Sequence, residues 1–458
     1  MEEDREMRIW KHIAAGCAVA LFCSQGAYAA SSEMDILLKK LQEKGILSSE
    51  EAAAVAKETK QAAEAQKSEV KETAAKAAAE TVSKSGAALP DWVRNTKFKG
   101  DLRLRYEARD REDDARGEQG RGRFRLRAGA ETTITDGLSV GFGLASGTGD
   151  QRSANQTLGN IFTRKSIWVD TAYARYAPTS WFSIIGGKFT NPIWQPADML
   201  ISNDVNPEGA AVRLEGNVSS KVGLFLNAGG FVLSDRNGAS PATSDPLMYV
   251  FQPGVKFNFT KDMFFRFAPA WYVVSDLKGT AAFSSTDAST ASLSNTNTQT
   301  TAGKYAYNYS VINWGGEFGM NNPFGISAIP YLGILGGYIH NPSPSRNNDG
   351  YLAGLSVGYP DVKKFGDWAV EYTFRRMEKD AWLDFLPDSS FYSGNTNVMG
   401  HRIKVLFGLT KNVALGLNCY NTWLVRKYNP TSSLVIPAST RDQSSTENLV
   451  QADVIFKF

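Results

Sequence analysis

Over residues 450–458 hydrophobic and polar positions alternate strictly. Val450, Ala452, Val454, Phe456 and Phe458 fall on every second position and so share one face of an extended strand. Gln451, Asp453 and Lys457 take the other face. The same period runs through 98–108, where Phe98, Leu102, Leu104, Tyr106 and Ala108 stand opposite Lys99, Asp101, Arg103, Arg105 and Glu107. It returns in Phe124, Leu126, Ala128, Ala130, Thr132 and Ile134, opposite Arg123, Arg125, Arg127 and Glu131. Matching this period along the chain predicts about sixteen strands, centred near residues 103, 128, 142, 172, 185, 213, 227, 254, 269, 312, 333, 355, 372, 404, 419 and 453.

The connections carry as much information as the strands. Short ones fall at 135–137, 178–180, 217–220, 260–262 and 411–412. Long ones fall at about 109–120, 146–165, 190–208, 235–246, 276–304, 379–397 and 427–445. Short and long alternate, as in membrane barrels with tight turns on one rim and large loops on the other. A soluble sandwich has no reason to sort its loops in this way. Aromatic residues cluster beside the short turns (Trp181, Phe182, Phe259, Phe264, Phe265, Tyr359, Trp368), which suits an interfacial girdle. The expected fold is all-β and transmembrane, a closed antiparallel barrel over 91–458. Phe456 and Phe458, on an aromatic stop, look like the signal that directs a barrel to the assembly machinery.

Upstream of residue 97 the period is helical. Met34, Leu37, Leu38 and Leu41 recur at helical spacing up to Gly45, and Ser48 with Glu51 forms a capping box that opens a longer Ala-, Glu- and Lys-rich helix. Ala56, Ala63, Val70 and Ala77 repeat every seven residues, but Thr59, Gln66, Thr73 and Glu80 are poor partners, so a coiled coil and a solvated linker are both open. Further upstream, Arg8, Lys11 and His12 precede a short apolar stretch, 13–22, and Ala27-Tyr28-Ala29 supplies small residues for cleavage. The chain therefore divides into an export signal (1–29), a periplasmic helical segment with a linker (30–90) and an outer-membrane barrel (91–458). Cys17 weakly resembles a lipoprotein site, without the apolar run that one requires.

Composition narrows the chemistry. Of three cysteines, Cys17 and Cys23 lie in the signal, leaving Cys419 alone. No disulfide or thiolate metal site follows, and no cofactor or metal is expected. A net charge of +3 lacks the excess of a nucleic-acid binder. Only His340 and His401 remain as histidines beyond the signal, and neither stands beside a Ser–Asp pair, so no enzyme is expected. A Gly-rich run at 141–147 lacks the helix of a phosphate loop, and the acidic residues near 110–118 are interleaved with arginines.

Several stretches resemble the putative porins of Gram-negative outer membranes: Met34–Leu38 through Gly45–Ala52, FKGDLRLRYE at 98–107, GGKFTNPIWQPADML at 186–200, NPEGAAV at 206–212 and LFLNAGGFVL at 224–233. The resemblance implies a trimeric-type pore of about sixteen strands in outer-membrane lipid. The expected role is a passive diffusion channel for small hydrophilic solutes. The alternatives are a tether to the cell wall (peptidoglycan) through the helical segment, or a substrate-specific anion or oxyanion channel.

Candidate pore residues follow from the pattern. Arg103 and Arg105 share the polar face of the first strand, and Arg121, Arg123, Arg125 and Arg127 that of the second, so six guanidiniums are expected along one lumenal wall. Such a wall would favour anions unless Asp101, Glu107, Glu131 and loop carboxylates neutralise it. Loop 190–208, stiffened by prolines and carrying Trp194, Asp198, Asp204 and Glu208, is the expected constriction. Acidic residues there, facing the arginines, would set a transverse field.

Overall fold

The computed structural model describes residues 91–112, 118–235, 244–283, 296–326, 328–426 and 446–458. The predicted signal and the whole of the predicted helical segment, 30–90, lie outside them. The chain divides into two units at Arg94 and Asn95; of the first, only the short helix α1 (Asp91–Arg94) is described.

The second unit is a barrel of sixteen long antiparallel strands. They are β1 (Thr96–Arg111), β2 (Gln119–Thr135), β3 (Leu138–Ser146), β4 (Ile167–Thr179), β5 (Phe182–Lys188), β6 (Glu208–Asn217), β7 (Val222–Val232) and β8 (Leu247–Asn258). The second half comprises β9 (Met263–Ser275), β10 (Tyr309–Asn321), β11 (Tyr331–His340), β12 (Asp349–Gly358), β13 (Trp368–Met377), β14 (Val398–Gly408), β15 (Val413–Leu424) and β16 (Thr446–Lys457). All sixteen predicted centres fall inside these strands. A two-residue strand, Gln156–Thr157, pairs with β2 from within the following loop.

Each long strand pairs with its neighbours in sequence, and β16 returns to pair with β1, so the sheet has no free edge. In hydrocarbon an unpaired edge would leave polar backbone groups unsatisfied, which makes closure obligatory. At the seam the Gly100 amide donates to the Phe458 carbonyl at 2.7 Å and the Phe458 amide donates back at 3.1 Å. Gly100 admits this contact because it has no Cβ. A methyl there would stand 2.5 Å from the Phe458 ring.

Burial is inverted relative to a water-soluble domain. Phe98, Phe142, Trp271 and Ile334 are each more than half exposed on the outer face, whereas Arg105, Glu107, Gln451 and Asp453 are buried inside. Apolar groups outside and charge inside describe a barrel whose solvent is lipid. One rim carries the turns at 136–137, 180–181, 218–221, 259–262 and 409–412; the other carries the long connections, including 147–166, 189–207 and 378–397. Trp181 and Phe259 lie exposed at the short-turn rim, where the girdle was expected.

Across the seam Arg105 makes a two-pronged contact with Asp453, both bonds at 2.7 Å, with side chains 5% and 2% exposed. Removing one partner of so buried a pair leaves a lone charge and costs about 3–5 kcal/mol, whereas replacing both by apolar groups is often neutral. Arg105→Ala and Asp453→Ala should therefore each lower the unfolding temperature of the barrel, followed by its heat-modifiable mobility on gels. The double variant Arg105→Met/Asp453→Leu should recover most of the loss. Single variants as stable as the parent would contradict this role.

Candidate functional site

The lumen has two unlike walls, and the strand register sets the difference. On β1 and β2, Asp101 faces Arg127, Arg103 faces Arg125, Arg105 faces Arg123 and Glu107 faces Arg121. Like charges directly opposite one another repel, so two of these four pairs need carboxylates nearby. Asp101 accepts from Arg125 and Arg127, each at 2.7 Å. Glu107 accepts from Arg121, and from Arg123 at 3.3 Å. Asp453 takes Arg105 from the other flank. Five of the six predicted arginines are thus ion-paired. The exception, Arg103, donates to the Asn155 amide oxygen at 2.7 Å. Glu131, considered as a further counter-charge, instead accepts from the Tyr173 hydroxyl at 2.6 Å.

Loop 189–207 turns inward and crosses the barrel. Phe189, Ile193, Met199, Leu200, Ile201 and Val205 are buried along it. Its predicted residues reach four separate places. Asp204 meets the arginine wall, 3.7 Å from Arg125 and 3.5 Å from Arg127. Asp198 goes instead to β14, where it accepts from Arg402 at 2.5 Å. Trp194 is held by its backbone: its amide donates to Gln252 at 2.8 Å, its carbonyl accepts from Gln252 at 2.7 Å, and the Arg266 guanidinium lies 5.3 Å above the indole. Glu208 pairs with Lys188 across neighbouring strands at 2.7 Å.

A second inward loop, 378–397, carried no expected role. Trp382 is fully buried, stacks edge-on against Tyr272 at 4.8 Å and donates its indole N–H to the Leu200 carbonyl at 2.7 Å. Asp384 accepts the amides of Thr296 and Asn297, and Asp380 that of Thr298, which ties in a third long connection. Together the loops bury an apolar cluster against Phe231, Met248, Val250, Val311 and Leu352 on the inner faces of β7, β8, β10 and β12. At the level of the loops that side of the lumen is filled.

Where the two loops meet, Arg402 serves Asp198, Glu371 at 2.7 Å and, at 3.8 Å, Asp388. Burial pushes the Asp388 carboxyl upward and Asp198 adds to it, with Arg402 only partly offsetting them. Burial also acts on Asp198, but Arg402 and Lys404 outweigh it and hold that group below the ordinary carboxylate range.

The remaining space includes three chambers. A chamber of about 670 Å³ at the long-loop end is lined by Arg109, Arg121 and Arg123, and one of about 430 Å³ includes Asp150, Asp170 and Asp204. A third, of about 800 Å³, opens beneath loop 189–207 toward the short turns, beside Trp181, Arg213 and Glu215. Asp204 against Arg125 and Arg127 marks the level between the outer chambers and the short-turn end.

A family model described as "Putative porin" matches residues 112–310 and 315–432, more than half of the chain. This chain belongs to the putative porin family. No curated protein matches it. Solved structures similar to this putative porin include OprB of Pseudomonas putida, determined at high pH, at 8% identity over 80% of this chain and 95% of that one, with a TM-score of 0.49. A triple mutant of the Rhodopseudomonas blastica porin aligns at 10% identity over 79% of this chain and 100% of that one, with a TM-score of 0.39.

Arg402 and loop 378–397 were not singled out from sequence. If the packed loops narrow this porin, loosening them should widen it. Trp382→Ala removes the aromatic contact and the bond to Leu200, a loss of about 3–5 kcal/mol. Single-channel recording should then show larger or more variable conductance steps; unchanged steps would place the loop outside the limiting section.

Proposed function

We propose that this porin is a passive diffusion channel for small hydrophilic solutes, biased toward anions, and that it works as a homotrimer in outer-membrane lipid. The observation that carries the reading is the division of the lumen. An apolar loop cluster packs against β7 to β12, and the solute space at the long-loop end lies along a wall of guanidiniums. The carboxylates of that wall are shared, Glu107 between two arginines and Asp101 between two more, so cations outnumber anions there. A solute in the narrow section meets this wall at contact distance, inside the screening length of about 8–10 Å. Distant loop charges act more weakly. On this reading residues 1–29 serve export, and Phe456 and Phe458 on the closing strand engage the barrel assembly machinery.

Arg103 gives the sharpest test, because its hydrogen-bond partner is a neutral amide and its loss strands no carboxylate. In planar bilayers under a potassium chloride gradient the purified protein should give discrete current steps and a reversal potential on the chloride side. Arg103→Ala should move that potential toward potassium, most strongly at low salt. A reversal potential that ignores the substitution removes the anion bias, and absence of steps in the parent removes the channel.

A further inference from the structure

We infer that the chamber at the long-loop end is a binding site for a tetrahedral oxyanion of the phosphate class. The inference rests on the channel reading above and names what its outer chamber holds. About 670 Å³ is enclosed between β1, β2 and loops 147–166 and 378–397, with Arg109, Arg121, Arg123, Arg152, Arg164 and Lys165 on its lining and Asp150 as the acidic residue among them. Counter-charge behind the lining is incomplete. Glu107 is shared by Arg121 and Arg123, Glu447 by Arg109 and Arg111, and Asp150 serves Arg152. Seven cations against three carboxylates leave a surplus of four.

The donors available also point to an anion. The Ser393 hydroxyl oxygen accepts from Arg109 at 3.1 Å and Arg111 at 3.0 Å, which leaves its own O–H free to donate into the chamber. A lining dominated by donors suits a fully ionised ligand better than a neutral polyol, which must also donate. A carboxylate engages one guanidinium fork, whereas four tetrahedral oxygens can meet forks from β1, β2 and the loop together. Arg164 and Lys165, in the loop after Gln156–Thr157, carry no ion pair among the described residues and stand where a solute would enter.

The test uses the full chain in planar bilayers carrying chloride current, with inorganic phosphate titrated at matched ionic strength from the long-loop side. Phosphate should reduce the chloride conductance in a saturable way. Arg121→Ala, and separately Arg164→Ala with Lys165→Ala, should each weaken its apparent affinity by roughly tenfold, the loss of one charge-assisted contact. Arg121→Lys, which keeps the charge and loses the fork, should fall between. The loop pair lies on the surface, so it keeps the test open if Arg121→Ala does not fold. Glycerol phosphate separates the sources: block equal to that by the free ion extends the site to phosphate esters, weaker block assigns it to the free ion, and both uphold the phosphate class. Acetate blocking as well as phosphate, or phosphate acting equally on parent and variants, overturns the site. A chloride-biased pore indifferent to phosphate removes this site alone, whereas a pore without chloride bias removes the reading beneath it.

Discussion

Closure of the sheet is the constraint on which the rest of this structure depends. A strand edge in hydrocarbon is untenable, so β16 must return to β1, and the return brings the two most distant parts of the barrel into register. Arg105 then lies against Asp453, Glu107 against Gln451 and Arg111 against Glu447. The ionic ladder along β16, β1 and β2 is thus a product of closure. Its carboxylates Glu107 and Asp101 are each shared between two arginines.

The inward loops follow from a second constraint. A sixteen-stranded barrel encloses more space than strand side chains can fill. Here β7 to β12 turn apolar residues inward as well as outward: Ala270, Tyr272 and Val274 face in on β9 while Trp271 and Val273 face lipid. Apolar surface inside a water-filled pore would be unstable, and loops 189–207 and 378–397 cover it with Leu200, Trp382 and Leu386. Burying each such side chain is worth about 1.5–3 kcal/mol, enough in sum to hold long loops in place. At the long-loop end this leaves a chamber beside Arg109, Arg121 and Arg123.

The strands were legible because a period of two survives even where both faces are apolar, and because the turns between them are short and polar. Loop 189–207 stood out in the sequence for its prolines and carboxylates. Its contacts were not legible there. Asp204 reaches the arginine wall as its chemistry suggested, but Asp198 finds Arg402, more than two hundred residues away, and no spacing encodes that pairing. Loop 378–397 escaped notice because its apolar residues Trp382, Leu383, Phe385 and Leu386 follow no helical or strand period. The arginine row was visible, yet the sharing of Glu107 and Asp101 depends on cross-strand register, which a single sequence does not fix.

The central claim is that solutes pass along the arginine wall and not through the loop cluster. Cysteine accessibility tests it most directly, since Cys419 is the one cysteine beyond the predicted signal and is readily replaced by alanine. In that background, Asn155→Cys beside Arg103 and Val311→Cys within the cluster report on the two sides. A charged thiol reagent added to open channels should alter the current through Asn155→Cys within seconds and leave Val311→Cys unchanged. Rapid modification of Val311→Cys with an inert Asn155→Cys would place the path on the opposite wall and contradict the account.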